Sequence, residues 1–166
     1  MSSEADYELY AAAVGRKAGF YLPYFRRAAD RGYPPVSWNW ATFFFGVFWF
    51  LYRRQYRWAA GLALAALLVA VLTGQVALAG YPALGTTLQL GFLIAVLGVY
   101  VPLNANGFYY RWVTARVEQA KAEFAFDRKR QLEFLALRGG PNLATPLLVF
   151  LAIVMVTFLR PTGMLQ

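Results

Sequence analysis

Residues 37–57 read SWNWATFFFGVFWFLYRRQYR, and the placement of every other segment turns on this run. From Trp38 to Tyr52 it is almost wholly apolar, yet it is shorter than the roughly 20 residues of a straight bilayer crossing. Trp38, Trp40 and Tyr52 mark its ends, where such rings favour the headgroup level. Arg53, Arg54 and Arg57 close it, with stems long enough to snorkel to the same level. The run predicts a membrane-dipping or interfacial aromatic helix, bent at Gly46, rather than a full crossing.

On its C-terminal side the sequence changes character. Residues 58–79, WAAGLALAALLVAVLTGQVALA, carry no charge and predict a first membrane span. Gly80-Tyr81-Pro82 is a turn, and the equally uncharged residues 83–103 predict a second span, kinked near its end by Pro102. The connecting loop has no Lys or Arg while both flanks are rich in them, which puts the hairpin tip outside and the flanks in the cytoplasm. Gly61 and Ala65, with Gly91 and Ala95, are small residues four apart that would let the two spans approach. Residues 143–159 predict a third, short span, leaving Arg160–Gln166 and the C-terminus on the periplasmic side.

The remaining segments are polar helices. Residues 1–36 begin with Glu4, Asp6 and Glu8 and do not form a signal peptide. Within them Tyr7, Tyr10, Ala11, Val14 and Ala18 recur at helical spacing, and Pro23 interrupts or restarts the pattern. Arg31-Gly32-Tyr33-Pro34-Pro35 then breaks it. This aromatic, basic segment suits a helix lying on the cytoplasmic membrane face, with a docking surface as the competing reading. Residues 104–141 predict cytoplasmic amphipathic helices, with Val113, Val117, Ala120 and Phe124 on one face. The period slips near Phe126, suggesting two helices, and Arg138-Gly139-Gly140-Pro141 is a stop.

The fold class that follows is all-α: a polytopic membrane protein forming a single domain. It has three transmembrane helices, one membrane-dipping aromatic helix and cytoplasmic amphipathic helices. Composition agrees, with 60% hydrophobic and 14% charged residues, against about a quarter charged in soluble domains. With no Cys and no His, no catalytic, cofactor-binding or metal residues are assigned. The net charge of +8 is read as membrane orientation and contact with anionic lipid, not nucleic-acid binding. The spans hold no ionisable group, which argues against a pump or ion-coupled transporter. Glu123 and Asp127 stand one helical turn apart, but Arg128, Lys129 and Arg130 follow, so a salt-bridged solvated helix is expected there.

Two constellations are the candidate lipid or partner contacts. One comprises Trp38, Asn39, Trp40, Trp49, Tyr52, Arg53 and Arg54. The other, where the second span leaves the membrane, comprises Asn104, Asn106, Tyr109, Tyr110 and Arg111. The first could be a lipid-headgroup pocket or an aromatic belt with Asn39 as a helix cap. In the second, Asn104 or Asn106 could end the span and cap the next helix.

The first constellation also carries a resemblance. Ser37-Trp38-Asn39-Trp40-Ala41, Phe43-Phe44-Phe45-Gly46, Phe48-Trp49 and Leu51-Tyr52-Arg53-Arg54 resemble the signature of DUF2628, a family of bacterial inner-membrane proteins of unknown function. The family often has proline where Val47 stands. The resemblance extends upstream to Gly15, Arg16, Lys17, Phe20 and Tyr21, and downstream to Asn104, Asn106 and Tyr109-Tyr110-Arg111. It implies a location and an architecture, with the two constellations facing each other and hydrogen-bonded. The function expected is a small non-catalytic accessory or assembly subunit of a larger membrane complex. A lipid-binding or membrane-shaping protein is the alternative, and a channel or transporter component stands third. Partners expected are a larger membrane-protein complex and anionic lipids, with self-association left open and no cofactor.

Overall fold

Charge-free, Leu- and Ala-rich sequence has no use for water, and in the computed structural model of the protein it forms two long helices. The structure describes residues 4–158, and every regular element among them is helical. Helix α1 is Glu4–Val14, followed by a 3₁₀ turn, Gly15–Lys17, and α2, Ala18–Arg31. Short helices α3, Trp40–Phe45, and α4, Val47–Tyr52, lead to α5, Tyr56–Leu78. Next come α6, Pro82–Phe92, a π-helical segment, Leu93–Tyr100, and α7, Val101–Glu123. Helices α8, Arg128–Arg138, and α9, Ala144–Phe158, complete the order.

Among the described residues, two helices are long and apolar enough to cross a membrane: α5, and the uninterrupted 42-residue rod from Pro82 to Glu123. Their most apolar windows are only 6% and 11% buried within the protein. Leu64, Leu67, Leu68, Val71 and Leu72 of α5 lie exposed, the reverse of a soluble core helix. At 1.5 Å per residue the rod is roughly 60 Å long, about twice the hydrocarbon thickness of a bilayer. Its second half therefore projects well beyond its apolar half.

This continuity corrects the expectation that Asn104 or Asn106 ends the helix of the second span and caps a new one. Pro102 lacks an N–H and crowds the carbonyl four residues back, which is that of Gly98. The chain responds by widening to a π-helix over Leu93–Tyr100 and then resumes α geometry. Asn104 turns its amide back onto the Tyr100 carbonyl at 2.8 Å and terminates nothing.

The α5–α6 hairpin closes at its tip. A Cβ on Gly85 would lie 2.6 Å from the Thr73 carbonyl, so only glycine permits this approach. Gly61 and Gly91, expected to form the seam, have nothing within 4 Å of a Cβ position. At the opposite end Trp58 stacks on Phe108, ring centroids 4.1 Å apart, and two stacked rings hold the backbones further apart than two small residues would.

The other half buries its apolar residues in the ordinary way. Leu9, Ala13 and Val14 of α1 and Leu22 and Phe25 of α2 pack with Val113, Val117 and Leu135 of α7 and α8. Tyr10 and Val14 of the N-terminal stripe thus turn inward onto the projecting rod, while Tyr7 stays exposed. The break between α1 and α2 falls at Gly15–Lys17, and α2 carries Pro23 within it. Ion pairs Lys121–Asp6, 2.9 Å, and Arg128–Glu8, 3.0 Å, tie α1 to α7 and α8 at the surface.

The rod ends at Glu123, and Asp127 caps α8 by accepting the Arg130 N–H at 3.0 Å. Glu123 and Asp127 therefore do not share one helical face, because the chain turns between them. The slip in period near Phe126 marks this turn. Helix α9 covers 15 residues of the expected third span up to Phe158, where the described residues end, so Leu159 and Arg160–Gln166 lie outside them.

Gly139 closes α8 against α1: an added Cβ would collide with the backbone carbonyls of Ala13 and Leu135. Gly139→Ala is expected to destabilise the protein by about 1–3 kcal/mol, as overpacking does. Thermal unfolding in detergent, with Gly140→Ala as the control in open space, checks this.

Candidate functional site: a cationic aromatic pocket

The site begins with a strap. After a turn at Gly32 and Tyr33, residues 34–39, kept from helix by Pro34 and Pro35, cross the rod without regular structure. Tyr24 donates its hydroxyl to the Pro35 carbonyl at 2.7 Å, and Pro34 packs over Gly107. Burial raises the pKa of Tyr24, so this phenol keeps its donor proton. Four hydrogen bonds then lay residues 37–39 along the rod. The Ser37 and Asn39 N–H groups donate to the Leu103 and Pro102 carbonyls at 3.1 and 3.0 Å. The Asn39 amide donates to Asn106 Oδ1, and the Asn106 amide donates to Ser37 Oγ, each at 2.8 Å.

Asn39 does a second task. Its Oδ1 accepts the Thr42 N–H at 2.9 Å and caps α3. At Gly46 the chain takes φ 49, ψ −124, a conformation open in practice only to glycine, and reverses direction into α4. The bend expected at Gly46 is therefore made by glycine itself and needs no proline at Val47. The aromatic run is folded into a helical hairpin of two six-residue helices.

Arg53 ends α4 in an unusual setting. It is 4% exposed, and its guanidinium carbon lies 4.6, 4.9 and 5.4 Å from the ring centres of Tyr21, Tyr109 and Tyr52. One terminal nitrogen donates to the Tyr109 hydroxyl at 3.4 Å, and Nε is buried without a partner. Among the described residues, Arg53 forms no salt bridge. Tyr109 lies beyond the apolar part of the rod, and burial pushes its pKa up to about 12, against the opposing pull of Arg53. The phenol thus stays neutral and gives Arg53 no counter-charge. Cation–π contacts with desolvated rings contribute about 2 kcal/mol. Burying a cation costs several kcal/mol, so the rings offset it only in part.

Arg53 lines a cavity of about 460 Å³. Lys17 is its second cation, and Phe20, Tyr21, Phe45, Phe48, Trp49 and Tyr52 supply aromatic walls. Leu143 and Pro146 reach it from the start of α9. That end is fixed by Asn142, whose N–H donates to the Tyr52 carbonyl at 2.8 Å while its Oδ1 accepts the Ala144 N–H at 3.0 Å. Among the described residues, no carboxylate lines the cavity. Its chemistry is that of a receptor for an anion attached to an apolar body.

Of the candidate residues, Trp49, Tyr52 and Arg53 line this pocket, and Tyr109 backs Arg53. Asn39 on the strap and Asn106 on the rod brace it through their hydrogen bond. Arg54 belongs elsewhere: it takes φ 57 and donates to the Leu137 carbonyl at 2.8 Å, anchoring the end of α8. Trp38 and Trp40 form an aromatic ladder with Phe43 and Phe44, in which Trp40, Phe43 and Phe44 are exposed while Trp38 is half-buried with its indole nitrogen covered. Arg111 is exposed on α7, away from the pocket, and Tyr110 packs on Phe25. Lys17, Phe20 and Tyr21 were not assigned to a site from sequence. Their spacing of three and four residues, which puts a cation and two rings on one helical face, is the signal that could have found them.

A model of the family described as "Protein of unknown function (DUF2628)" matches residues 16–116, more than half of the chain. The chain belongs to the DUF2628 family. The DUF2628 match takes in Lys17, Arg53, the strap, the aromatic hairpin and the rod as far as Arg116; Leu143 and Pro146 lie beyond it. No curated protein and no solved structure matches the chain.

Each single deletion at the Asn39–Asn106 bond is expected to cost more than the bond itself contributes. Removing one partner strands a buried amide, at about 1–3 kcal/mol. Asn39→Ala and Asn106→Ala should each destabilise by about that much, Asn39→Ala more because it also loses the cap. The double variant should fall short of their sum, and a double-mutant cycle by thermal unfolding measures the shortfall.

Proposed function

We propose that this is a bacterial inner-membrane protein that binds an anionic phospholipid at the cytoplasmic interface. Lys17 and Arg53 meet the phosphate, and the aromatic walls hold the adjoining apolar part. The observation that carries the reading is Arg53, nearly fully buried without a salt bridge, with a free Nε, in a cavity lined by a second cation and by aromatic rings. A phosphate supplies the missing charge and accepts the guanidinium donors. The level fits as well, since Arg53 stands three residues before α5, where a lipid headgroup would lie.

In this reading α5 and the apolar half of the rod cross the membrane, and α9 is a third, short crossing. The hairpin tip faces outward, and α1, α2, α8 and the far half of the rod stand in the cytoplasm. The absence of Lys and Arg from the tip and their abundance on the flanks support that orientation.

A second reading, a non-catalytic accessory subunit of a larger membrane complex, is favoured by one surface. Trp40, Phe44 and Phe45 are 64–70% exposed on α3 and would suit a protein neighbour as well as lipid.

Native mass spectrometry of the protein, extracted gently from its host's membranes, tests both. Wild type should retain anionic phospholipid. Lys17→Glu, at an exposed position, and Arg53→Lys, which keeps the charge but loses the fork, should each lower retention about tenfold or more. Unchanged retention in both variants would remove the lipid reading, and a stoichiometric foreign subunit on wild type would put the accessory reading first.

A further inference from the structure

A second cavity, about 770 Å³, adjoins the first. It runs between the aromatic hairpin and the rod, bounded by Gly46 and Phe48 on one side and Leu97, Gly98 and Phe150 on the other. Phe45 and Phe48 line both cavities, so the two meet at these rings. The chemistry changes across that boundary. The first cavity has Lys17 and Arg53; the second is lined by aromatic, aliphatic and glycine residues alone.

Depth changes in the same sense. Arg53 touches the rod at Tyr109, and Leu97 lies twelve residues earlier on it. That spacing corresponds to about 15–18 Å along the axis, comparable to half of a hydrocarbon core roughly 30 Å thick. The groove therefore leads from the cation site toward the middle of the apolar half.

The rod is also modified at this place. Leu97 and Gly98 belong to the π-helical segment, a geometry that is frequent at functional sites. Pro102 accounts for the widening, and Gly98 leaves the widened wall without a side chain. A Cβ there would meet only the Leu93 carbonyl, at an ordinary 3.6 Å. Packing therefore does not require glycine at Gly98, and its effect is to keep the groove open.

We infer that the two cavities form one lipid site. Lys17 and Arg53 take the anionic head, and one acyl chain passes Phe45 and Phe48 to lie in the groove against Leu97, Gly98 and Phe150. This rests on the lipid reading above and adds the path of the chain. Both volumes fall within the roughly 300–1,000 Å³ typical of ligand pockets.

Blocking the groove without touching the cations tests the path. Gly98→Leu puts a branched side chain into the groove, and Gly91→Leu, in open space outside it, is the control. Binding of dioleoyl and dihexanoyl phosphatidylglycerol to the purified full chain is measured by native mass spectrometry. Wild type and Gly91→Leu should prefer the dioleoyl lipid by about tenfold or more, each buried CH₂ adding to affinity. Gly98→Leu should lose that preference while binding the dihexanoyl lipid as wild type does. Undiminished dioleoyl binding by Gly98→Leu, or equal binding of both lipids by wild type, overturns the chain path alone. Failure of wild type to bind either lipid removes the lipid reading and this inference with it.

Discussion

The hydrogen bond between the Asn39 and Asn106 amides is the constraint on which the rest of the structure depends. Proline at 34 and 35 denies residues 34–39 a helix, so their backbone groups need partners elsewhere. The rod supplies them, through the Pro102 and Leu103 carbonyls and the Asn106 side chain. With residues 37–39 held there, Asn39 can start α3, Gly46 can reverse the chain, and α4 can carry Arg53 to Tyr109. Each step presupposes the one before. An amide pair suits this position because each side chain both donates and accepts, so one contact fixes distance and orientation together.

Arg53 shows what the strap is able to hold. Three tyrosine rings surround its guanidinium without neutralising it. Hydrophobic replacement of buried ion pairs is often neutral or stabilising, so a buried cation of this kind is poor material for stability. It is good material for recognition, because an incoming anion finds a desolvated donor already oriented. Arg54, next in the chain, has an ordinary structural role at the end of α8. Adjacent arginines thus do different work because the backbone turns into left-handed geometry between α4 and α5.

The same rod joins two different kinds of packing. Around Val113 and Val117 it lies in a core with α1, α2 and α8, whereas around Ile94 and Val99 its apolar side chains are exposed. Pro102 stands close to the change. Its missing N–H alters the hydrogen-bond pattern upstream, where the groove opens, and its own carbonyl accepts the Asn39 N–H. A single residue therefore borders both the groove and the strap.

Much of this was legible from residue order because it depends on local composition. Long charge-free runs announce helices that do not need a polar surface, and the slip near Phe126 announced a turn. The quartet Phe43-Phe44-Phe45-Gly46 announced a bend, since only glycine takes the backbone conformation it requires. The Asn39 cap was readable for the same reason. Other features were out of reach. Asn104 and Asn106 look alike in sequence, yet one turns back on its own helix and the other bonds across 67 residues to Asn39. Gly61 and Gly91 had the right spacing for a seam, but the stacked rings of Trp58 and Phe108 moved the close approach to Gly85. Lys17 and Arg53 line one cavity because Tyr21 of α2 and Trp49 of α4 both pack on Tyr109. By itself, the sequence determined the helices, their polarity and the glycine bend, because those follow from neighbours along the chain. Tertiary structure alone decided which amide, which glycine and which arginine form the site, because hydrogen bonds and close packing act between residues brought together from distant parts of the chain.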